Sequence, residues 1–215
     1  MNLPMLLILL AAALAHFAAC LADWRKGYLA TKPLLVPLLL CFYLLSARSI
    51  EPLVVLALAC GFAGDVVLEL PQKSVEPGKP ALPLLLGLGA FFLGHVFYIA
   101  LFLQQISSWP MAEILLLATT AAVLFLVVLR SLWPHMGEMK VPCIAYMLVL
   151  LAMGFFAVLS ALTVPAPARL PGGLLFLLSD LILARSIFIQ KKRYSSFFVM
   201  LTYLGAQFLL VLSLL

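Results

Sequence analysis

Long apolar runs, separated by short stretches of charged residues, prolines and glycines, cover almost the whole chain. Most runs reach the roughly 20 residues that a helix needs to cross the hydrocarbon core of a membrane. The pattern therefore predicts eight transmembrane helices and leaves no room for a second, soluble domain. Their approximate bounds are 3–22, 31–47, 52–70, 82–104, 111–132, 141–163, 171–189 and 194–215.

The composition indicates an all-α, polytopic membrane protein. Apolar residues make up 66% of the 215 residues and charged residues 10%, against roughly 45–50% and 25% in soluble domains. A soluble monomer has too few polar residues to cover such a surface, and disorder requires the opposite composition. We expect residues 1–215 to form a single eight-helix transmembrane domain, located in the inner or plasma membrane if the source is bacterial.

The basic residues indicate how the chain is oriented. Nine of them lie in the first, third, fifth and seventh connections, whereas only Arg48 and Arg169 lie in the even ones. Cytoplasmic loops carry such an excess, so we expect odd connections in the cytoplasm, both termini outside and no nucleic-acid partner. The nine residues are Arg25, Lys26, Lys73, Lys79, Arg130, Lys140, Lys191, Lys192 and Arg193.

Ionisable residues inside the apolar runs are the first candidates for function, because a charge at the bilayer centre costs about 2.5–3.5 kcal/mol to insert. They are Lys32 at the head of the second run, Asp65 and Glu69 in the third, and Asp180 and Arg185 in the seventh. The third and seventh helices run in the same direction, so their aspartates should lie at similar depth. Two carboxyl groups at one depth suit acid–base chemistry, although an ion pair with Lys32 or a neighbour is the structural alternative. Glu69 and Arg185 lie near helix ends and have a simpler explanation, snorkelling to the interface.

Uncharged polar residues extend this set. His95 and Tyr98 are three residues apart and Tyr203 and Gln207 four apart, so each pair shares one helix face. The pattern predicts a polar cluster formed by the second, third, fourth, seventh and eighth helices. Three further residues have structural explanations. His16 suits a packing histidine and Tyr146 an interhelical hydrogen bond. Ser179 can hydrogen-bond to the backbone of its own helix.

Five short sequence pieces carry a resemblance to a known family. They are Lys32-Pro33; Gly64-Asp65-Val66-Val67-Leu68; Gly87, Phe91, His95 and Tyr98 in a G-x-x-x-F-x-x-x-H-x-x-Y pattern; Phe176-Leu177-Leu178-Ser179-Asp180; and Tyr203-Leu204-Gly205-Ala206-Gln207. In this order, across nearly the whole chain, they make it resemble the YhhN-like integral membrane proteins, the lysoplasmalogenase family. The eight-helix layout agrees with that resemblance.

The resemblance implies an enzyme that cleaves the vinyl ether bond of lysoplasmalogens. The products would be a fatty aldehyde and glycerophosphocholine or glycerophosphoethanolamine. The implied partners are the lysophospholipid substrate and the surrounding membrane lipids, and no cofactor is expected. The sequence leaves the oligomeric state open.

Two carboxyl groups fit this chemistry by analogy with the paired carboxylates of glycosidases. One, kept neutral by an apolar environment, would protonate the vinyl ether, and the other would stabilise the resulting cation. We expect Asp65 and Asp180 to be the catalytic pair, with a preference for Asp180 as the acid because its flanking residues are more apolar. The residues expected to position substrate or water are Lys32, His95, Tyr98, Ser179, Tyr203 and Gln207.

Two alternatives remain open in the sequence. A catalytic zinc would need three protein ligands, for which His95, Asp65 and Asp180 are candidates, but no paired-histidine motif is present and we predict no metal. A small transporter or channel would use the same Asp, Lys and His residues as an ion or proton site. The tribasic Lys191-Lys192-Arg193 run either attracts a phosphate or serves orientation alone.

Overall fold

The computed structural model describes residues 1–72 and 81–215, and in this part of the chain the regular structure is entirely helical. Two 3-10 turns, Trp133–His135 and Gly137–Met139, join the fifth and sixth helices. The eight α-helices are α1 Leu3–Leu21, α2 Arg25–Ser46, α3 Pro52–Leu68, α4 Leu82–Gln105, α5 Met111–Leu132, α6 Lys140–Thr163, α7 Arg169–Phe188 and α8 Ser195–Leu212.

The predicted bounds agree with the helices to within a few residues, except at the start of α2. This helix begins at Arg25 rather than near residue 31, and the Tyr28 amide already donates to the Trp24 carbonyl at 2.9 Å. The apolar run of α2 begins only after the polar residues at the start of this helix. Backbone hydrogen bonding already includes those polar residues, so the helix begins earlier than the run. Lys32 was expected at the head of the helix, but it lies about two turns inside.

Seven of the eight helices are long and apolar enough to cross a membrane. The exception among the described helices is α3, which has 17 residues and a length of about 25 Å. Two of the basic residues used for the orientation, Lys73 and Lys79, lie outside the described residues.

Seven helices pack into a closed ring, in the order α1, α2, α3, α4, α6, α7 and α8, and α8 contacts both α1 and α2. The largest buried side chains include Phe42, Tyr43, Tyr98 and Phe176, which form the aromatic core of the ring. Helix α5 lies outside, packed on α6 and against one side of α7. Within Met111–Leu132, only Leu132 is buried, so nearly all of α5 is available to lipid.

Glycines allow α3 and α4 to approach closely, which fixes the position of Asp65 on α3. A Cβ atom at Gly94 of α4 would lie 3.3 Å from the Ala57 carbonyl oxygen of α3, and one at Gly64 would overlap the Phe91 ring. Small residues at such contacts let helix backbones pack together in membranes. Asp65 follows Gly64 directly and is 4% exposed.

Replacement of Gly94 by leucine should therefore destabilise the protein by about 1–3 kcal/mol, because the Ala57 backbone cannot move away from the new side chain. Gly89 on the same helix is the matched control, since no atom lies within 4 Å of its added Cβ. Thermal unfolding in detergent should show a loss for Gly94→Leu and none for Gly89→Leu. Equal stability of the two variants would contradict the assigned role of the α3–α4 contact.

Candidate active site

A cavity of about 460 Å3 lies among α2, α3, α7 and α8, and side chains of both predicted catalytic aspartates line it. Lys32 and Tyr203 also face this space, while Lys191 and Ser195 stand where α7 ends and α8 begins. The cavity thus opens among the odd-numbered connections. The structure brings Asp65 and Asp180, which are distant in sequence, to the walls of one cavity.

Lys32 is the centre of a partly buried charge network. Its Nζ atom lies 2.7 Å from Glu69 Oε1 and 3.7 Å from Asp65 Oδ1. The Tyr28 hydroxyl donates to Glu69 Oε1 at 3.0 Å, and Arg25 Nη2 lies 3.1 Å from Glu69 Oε2. Protein donors bind both carboxylate oxygens of Glu69, so its position at the end of α3 is held by specific contacts as well.

The ion pair that was the structural alternative for Asp65 is present, but it involves one carboxylate oxygen at a long distance. Asp65 Oδ2 is buried and has no hydrogen-bond partner among the described residues. The Tyr203 hydroxyl of α8 faces this carboxyl group, and it too lacks a well-formed hydrogen bond within the described part of the chain. Asp65 therefore presents a buried, unoccupied oxygen beside the cavity.

Asp180 is held by a tyrosine and a histidine on other helices. The Tyr146 hydroxyl of α6 donates a short hydrogen bond to Asp180 Oδ2. His95 Nε2 lies 3.1 Å from the Tyr146 hydroxyl and 3.8 Å from the same carboxylate oxygen. Because Tyr146 uses its proton on Asp180, the hydroxyl oxygen accepts from His95, which fixes the proton of the imidazole on Nε2. The Phe176 ring packs edge-on against His95, with ring centroids 4.7 Å apart.

Tyr146 is the site residue that the sequence analysis left out of the candidate set. In the sequence it is a lone tyrosine within the apolar run of α6. Such a tyrosine was interpreted as a group that forms an interhelical hydrogen bond. The interhelical hydrogen bond is present, and the structure shows that its acceptor is Asp180.

Three of the expected positioning residues are occupied by helix–helix contacts. The Tyr98 hydroxyl donates to Gln207 Oε1 at 2.6 Å, and both residues are 1% exposed. Ser179 donates to the Val199 carbonyl of α8 at 3.1 Å, rather than to its own helix. Ser179 lines the cavity, whereas Tyr98 and Gln207 are not in its wall. These contacts fasten α4 to α8 and α7 to α8.

Two other polar residues that the sequence analysis named, His16 and Arg185, do not line the cavity. His16 is fully buried and bonded to the Thr31 hydroxyl at 2.8 Å, as expected for a packing histidine. Arg185 is exposed near the end of α7, as snorkelling requires. The four cysteines are free.

The described residues contain no group of three or more His, Cys, Asp or Glu side chains placed to bind a metal ion. Of the three candidate zinc ligands, His95 and Asp180 share the partner Tyr146, whereas Asp65 lies beside Lys32. What the arrangement offers is acid–base chemistry in a water-accessible cavity with apolar surroundings.

Comparison with known proteins gives consistent matches over most of the chain. The model of the YhhN family matches residues 27–214. The uncharacterized membrane protein YhhN of Escherichia coli O6:H1 is 26% identical over 197 residues, which cover 89% of this chain and 88% of that protein. The protein of Mus musculus named lysoplasmalogenase TMEM86B is 29% identical over 191 residues, covering 89% of this chain and 76% of that protein. No solved structure matches the chain at a significant level.

Removal of the Lys32 charge should destabilise the fold strongly. Lys32→Met leaves Asp65 and Glu69 without their shared buried cation, and breaking such a pair costs about 3–5 kcal/mol. The double variant Lys32→Met/Asp65→Asn should recover part of this loss, because Asp65 loses its cation whereas Glu69 keeps Arg25 and Tyr28. Thermal unfolding in detergent measures both effects, with the exposed Lys192→Met as control. Wild-type stability of Lys32→Met would contradict the role given to this charge.

Proposed function

Because the chain belongs to the YhhN family of multi-pass membrane proteins, we propose that it is a membrane-embedded hydrolase that cleaves the vinyl ether bond of lysoplasmalogens. The observation that carries the proposal is the pair of buried carboxyl groups, Asp65 and Asp180, on the walls of one cavity. The printed name of the mouse relative, a lysoplasmalogenase, supports the substrate class. The products are a fatty aldehyde and glycerophosphocholine or glycerophosphoethanolamine.

The chemistry needs one proton donor and one stabilised anion. Protonation of the vinyl carbon β to the ether oxygen converts the alkenyl ether into an oxocarbenium ion. Water adds to the cationic carbon and loses a proton, and the resulting hemiacetal collapses to the aldehyde and the free glycerol hydroxyl. The proton that the acid gives to carbon is replaced by the proton released on addition of water, so the pair is restored after each turnover.

The contacts of the two aspartates favour Asp65 as the acid and Asp180 as the anion. Glu69 satisfies Lys32 at 2.7 Å, so Asp65 can carry a proton on its unoccupied Oδ2 without leaving the ammonium group unpaired. Asp180 already accepts a hydrogen bond from Tyr146, with His95 next to that hydroxyl, and this donated hydrogen bond suits the role of the anion. This assignment reverses the preference derived from the flanking residues, because partners on other helices outweigh the neighbours in sequence.

We assign the positioning roles to the groups that reach the cavity or its aspartates. Tyr203 lies next to Asp65, and Ser179 precedes Asp180 on α7; both line the cavity. Lys191 stands at the rim, where its charge suits the phosphate of a lysophospholipid. His95 acts through Tyr146, whereas Tyr98 and Gln207 act indirectly by holding α4 against α8.

We also propose that all eight helices span the membrane, with both termini on the outer side. Helix α3 is short, but Glu69 and Leu70 continue it in sequence, and the charge network of Glu69 suits an interfacial position. Eight spans place the odd connections together on the cytoplasmic side. The cavity would then be reached from the cytoplasmic leaflet.

One observation favours a second candidate, a proton or ion transporter. His95, Tyr146 and Asp180 form a hydrogen-bonded chain across three helices, and such chains serve proton relays in membranes. The next experiment separates the two candidates, since a transporter would release no aldehyde and would move protons or cations across proteoliposomes.

The detergent-purified protein should release aldehyde from an alkenyl lysophospholipid and leave the ester-linked analogue intact. In D2O the aldehyde should carry one deuterium at C2, because the proton from the acid goes to carbon. In water labelled with oxygen-18 the glycerophosphoethanolamine should stay unlabelled, because the bond on the alkenyl side of the oxygen breaks. Label in the glycerol product, or loss of activity with EDTA, would contradict the two-carboxylate mechanism.

Asp65→Asn and Asp180→Asn should each lower kcat by roughly 10²–10⁴-fold, the usual contribution of acid–base groups. The exposed Asp23→Asn is the matched control and should keep full activity. Tyr146→Phe removes one hydrogen bond to a charged group and should lower kcat by roughly 10–100-fold. Wild-type turnover in a folded Asp65 or Asp180 variant would exclude that residue from catalysis.

A further inference from the structure

An apolar cleft of about 280 Å3 lies between the peripheral helix α5 and the ring helices α6 and α7. Leucine side chains such as Leu124, Leu151 and Leu178 supply most of its surface, and Tyr146 and Asp180 are its polar residues. Because α5 packs on α6 and α7 and on no other helix to a comparable extent, one long side of the cleft faces the surrounding lipid. The cleft is thus open to the lipid on one side, and it is polar only where Tyr146 and Asp180 line it.

That polar place is shared with the candidate active site. Asp180 lines both the polar cavity and the apolar cleft, and a smaller cavity of about 70 Å3 between them is again lined by Asp180 and Tyr146. Asp180 therefore lies where the polar cavity meets the apolar cleft. A ligand that occupies both compartments must be polar at one end and a hydrocarbon at the other.

The volume of the cleft, about 280 Å3, suits part of one hydrocarbon chain. From Leu132 to Leu124 its α5 wall extends about 12 Å, and from Asp180 to Leu174 its α7 wall extends about 9 Å. A hydrocarbon chain of this length, entering from the side, reaches Asp180 with its first carbons. In a vinyl ether lipid those first carbons are the ones that react.

We propose that this cleft binds the hydrocarbon chain of the substrate and places its vinyl ether carbons beside Asp180, with the head group in the polar cavity. The proposal rests on the proposed function and adds a location and a length preference for the chain. It assigns Leu124 and Leu178, which are 37% and 44% exposed, as residues that determine chain specificity. The occupant is the chain of the single-chain substrate, as opposed to the diacyl lipids of the surrounding bilayer.

Tryptophan substitution in the cleft tests this proposal. Leu124→Trp and Leu178→Trp fill the cleft, so the ratio of kcat/KM for a sixteen-carbon chain to that for an eight-carbon chain should fall roughly tenfold or more. Leu126→Trp is the matched control, because Leu126 lies on α5, is 62% exposed and does not line the cleft. The ratio cancels losses of folded protein, which affect both substrates equally. An unchanged ratio in both cleft variants would overturn the proposal.

A binding experiment separates failure of this proposal from failure of the proposed function. A non-hydrolysable alkyl-ether lysophospholipid with a diazirine on its chain should label α5, α6 and α7 residues of the wild-type protein. A single-chain ether lipid should compete for this labelling, and a diacyl phospholipid should not. Cleft labelling without any aldehyde release would overturn the proposed function and support the cleft as a lysolipid site. Labelling spread over all lipid-facing helices, or competed equally by diacyl lipid, would indicate bulk lipid and overturn the cleft assignment.

Discussion

The buried ammonium group of Lys32 is the charge on which the polar interior depends. Its side chain is 8% exposed, and it lies within 4 Å of carboxylate oxygens of Glu69 and Asp65. Ionised carboxylates are costly to bury without a partner, so α3 can bring two of them into the bundle only with this cation beside it. The glycine contact between α3 and α4 places Asp65 at that depth. Glu69 lies closer to Lys32 than Asp65 does, and Asp65 Oδ2 has no hydrogen-bond partner in the described part of the chain.

The second carboxyl group is accommodated by a different physical solution. Asp180 accepts a hydrogen bond from Tyr146, which in turn lies beside His95. The two carboxyl groups at one cavity thus have partners of different chemistry, a lysine and a tyrosine. A single cation shared equally between them would not separate their roles. The division between a lysine-paired and a tyrosine-bonded aspartate is therefore the feature that suits the site to acid–base chemistry.

The position of α5 outside the ring adds a second compartment to the site. The other seven helices close the ring without α5 and enclose the polar interior. Helix α5 packs on the outside of this ring, and an apolar cleft that Asp180 lines lies between it and the ring. A membrane enzyme that acts on a lipid must admit a charged head group and a hydrocarbon chain to one point. Separate polar and apolar spaces that meet at Asp180, one of the two proposed catalytic carboxyl groups, would satisfy both demands without exposing the chain to water.

Hydropathy by itself determined the helices and selected the polar positions that matter. Apolar runs of membrane-spanning length predict helices because unpaired backbone groups are not tolerated in lipid, and charges inside those runs are conspicuous because they are expensive. Asp65, Asp180 and Lys32 were identified in this way, and His95 was added as an uncharged polar residue inside an apolar run. The start of α2 was misplaced, since hydropathy marks where charge ends and not where hydrogen bonding begins.

Only the tertiary structure decided which polar groups are partners. Tyr146 and Asp180 are 34 residues apart in sequence, and Tyr98 and Gln207 are 109 apart. Whether two such side chains meet depends on the rotation of each helix about its axis and on the small residues that set the distance between axes. Helix rotations and the distances between helix axes are set by the packing of all helices together, so they cannot be inferred from the sequence of one helix at a time. For this reason the sequence indicated only that a polar cluster exists. The structure identified Asp180 as the acceptor of Tyr146 and the Val199 carbonyl as the acceptor of Ser179.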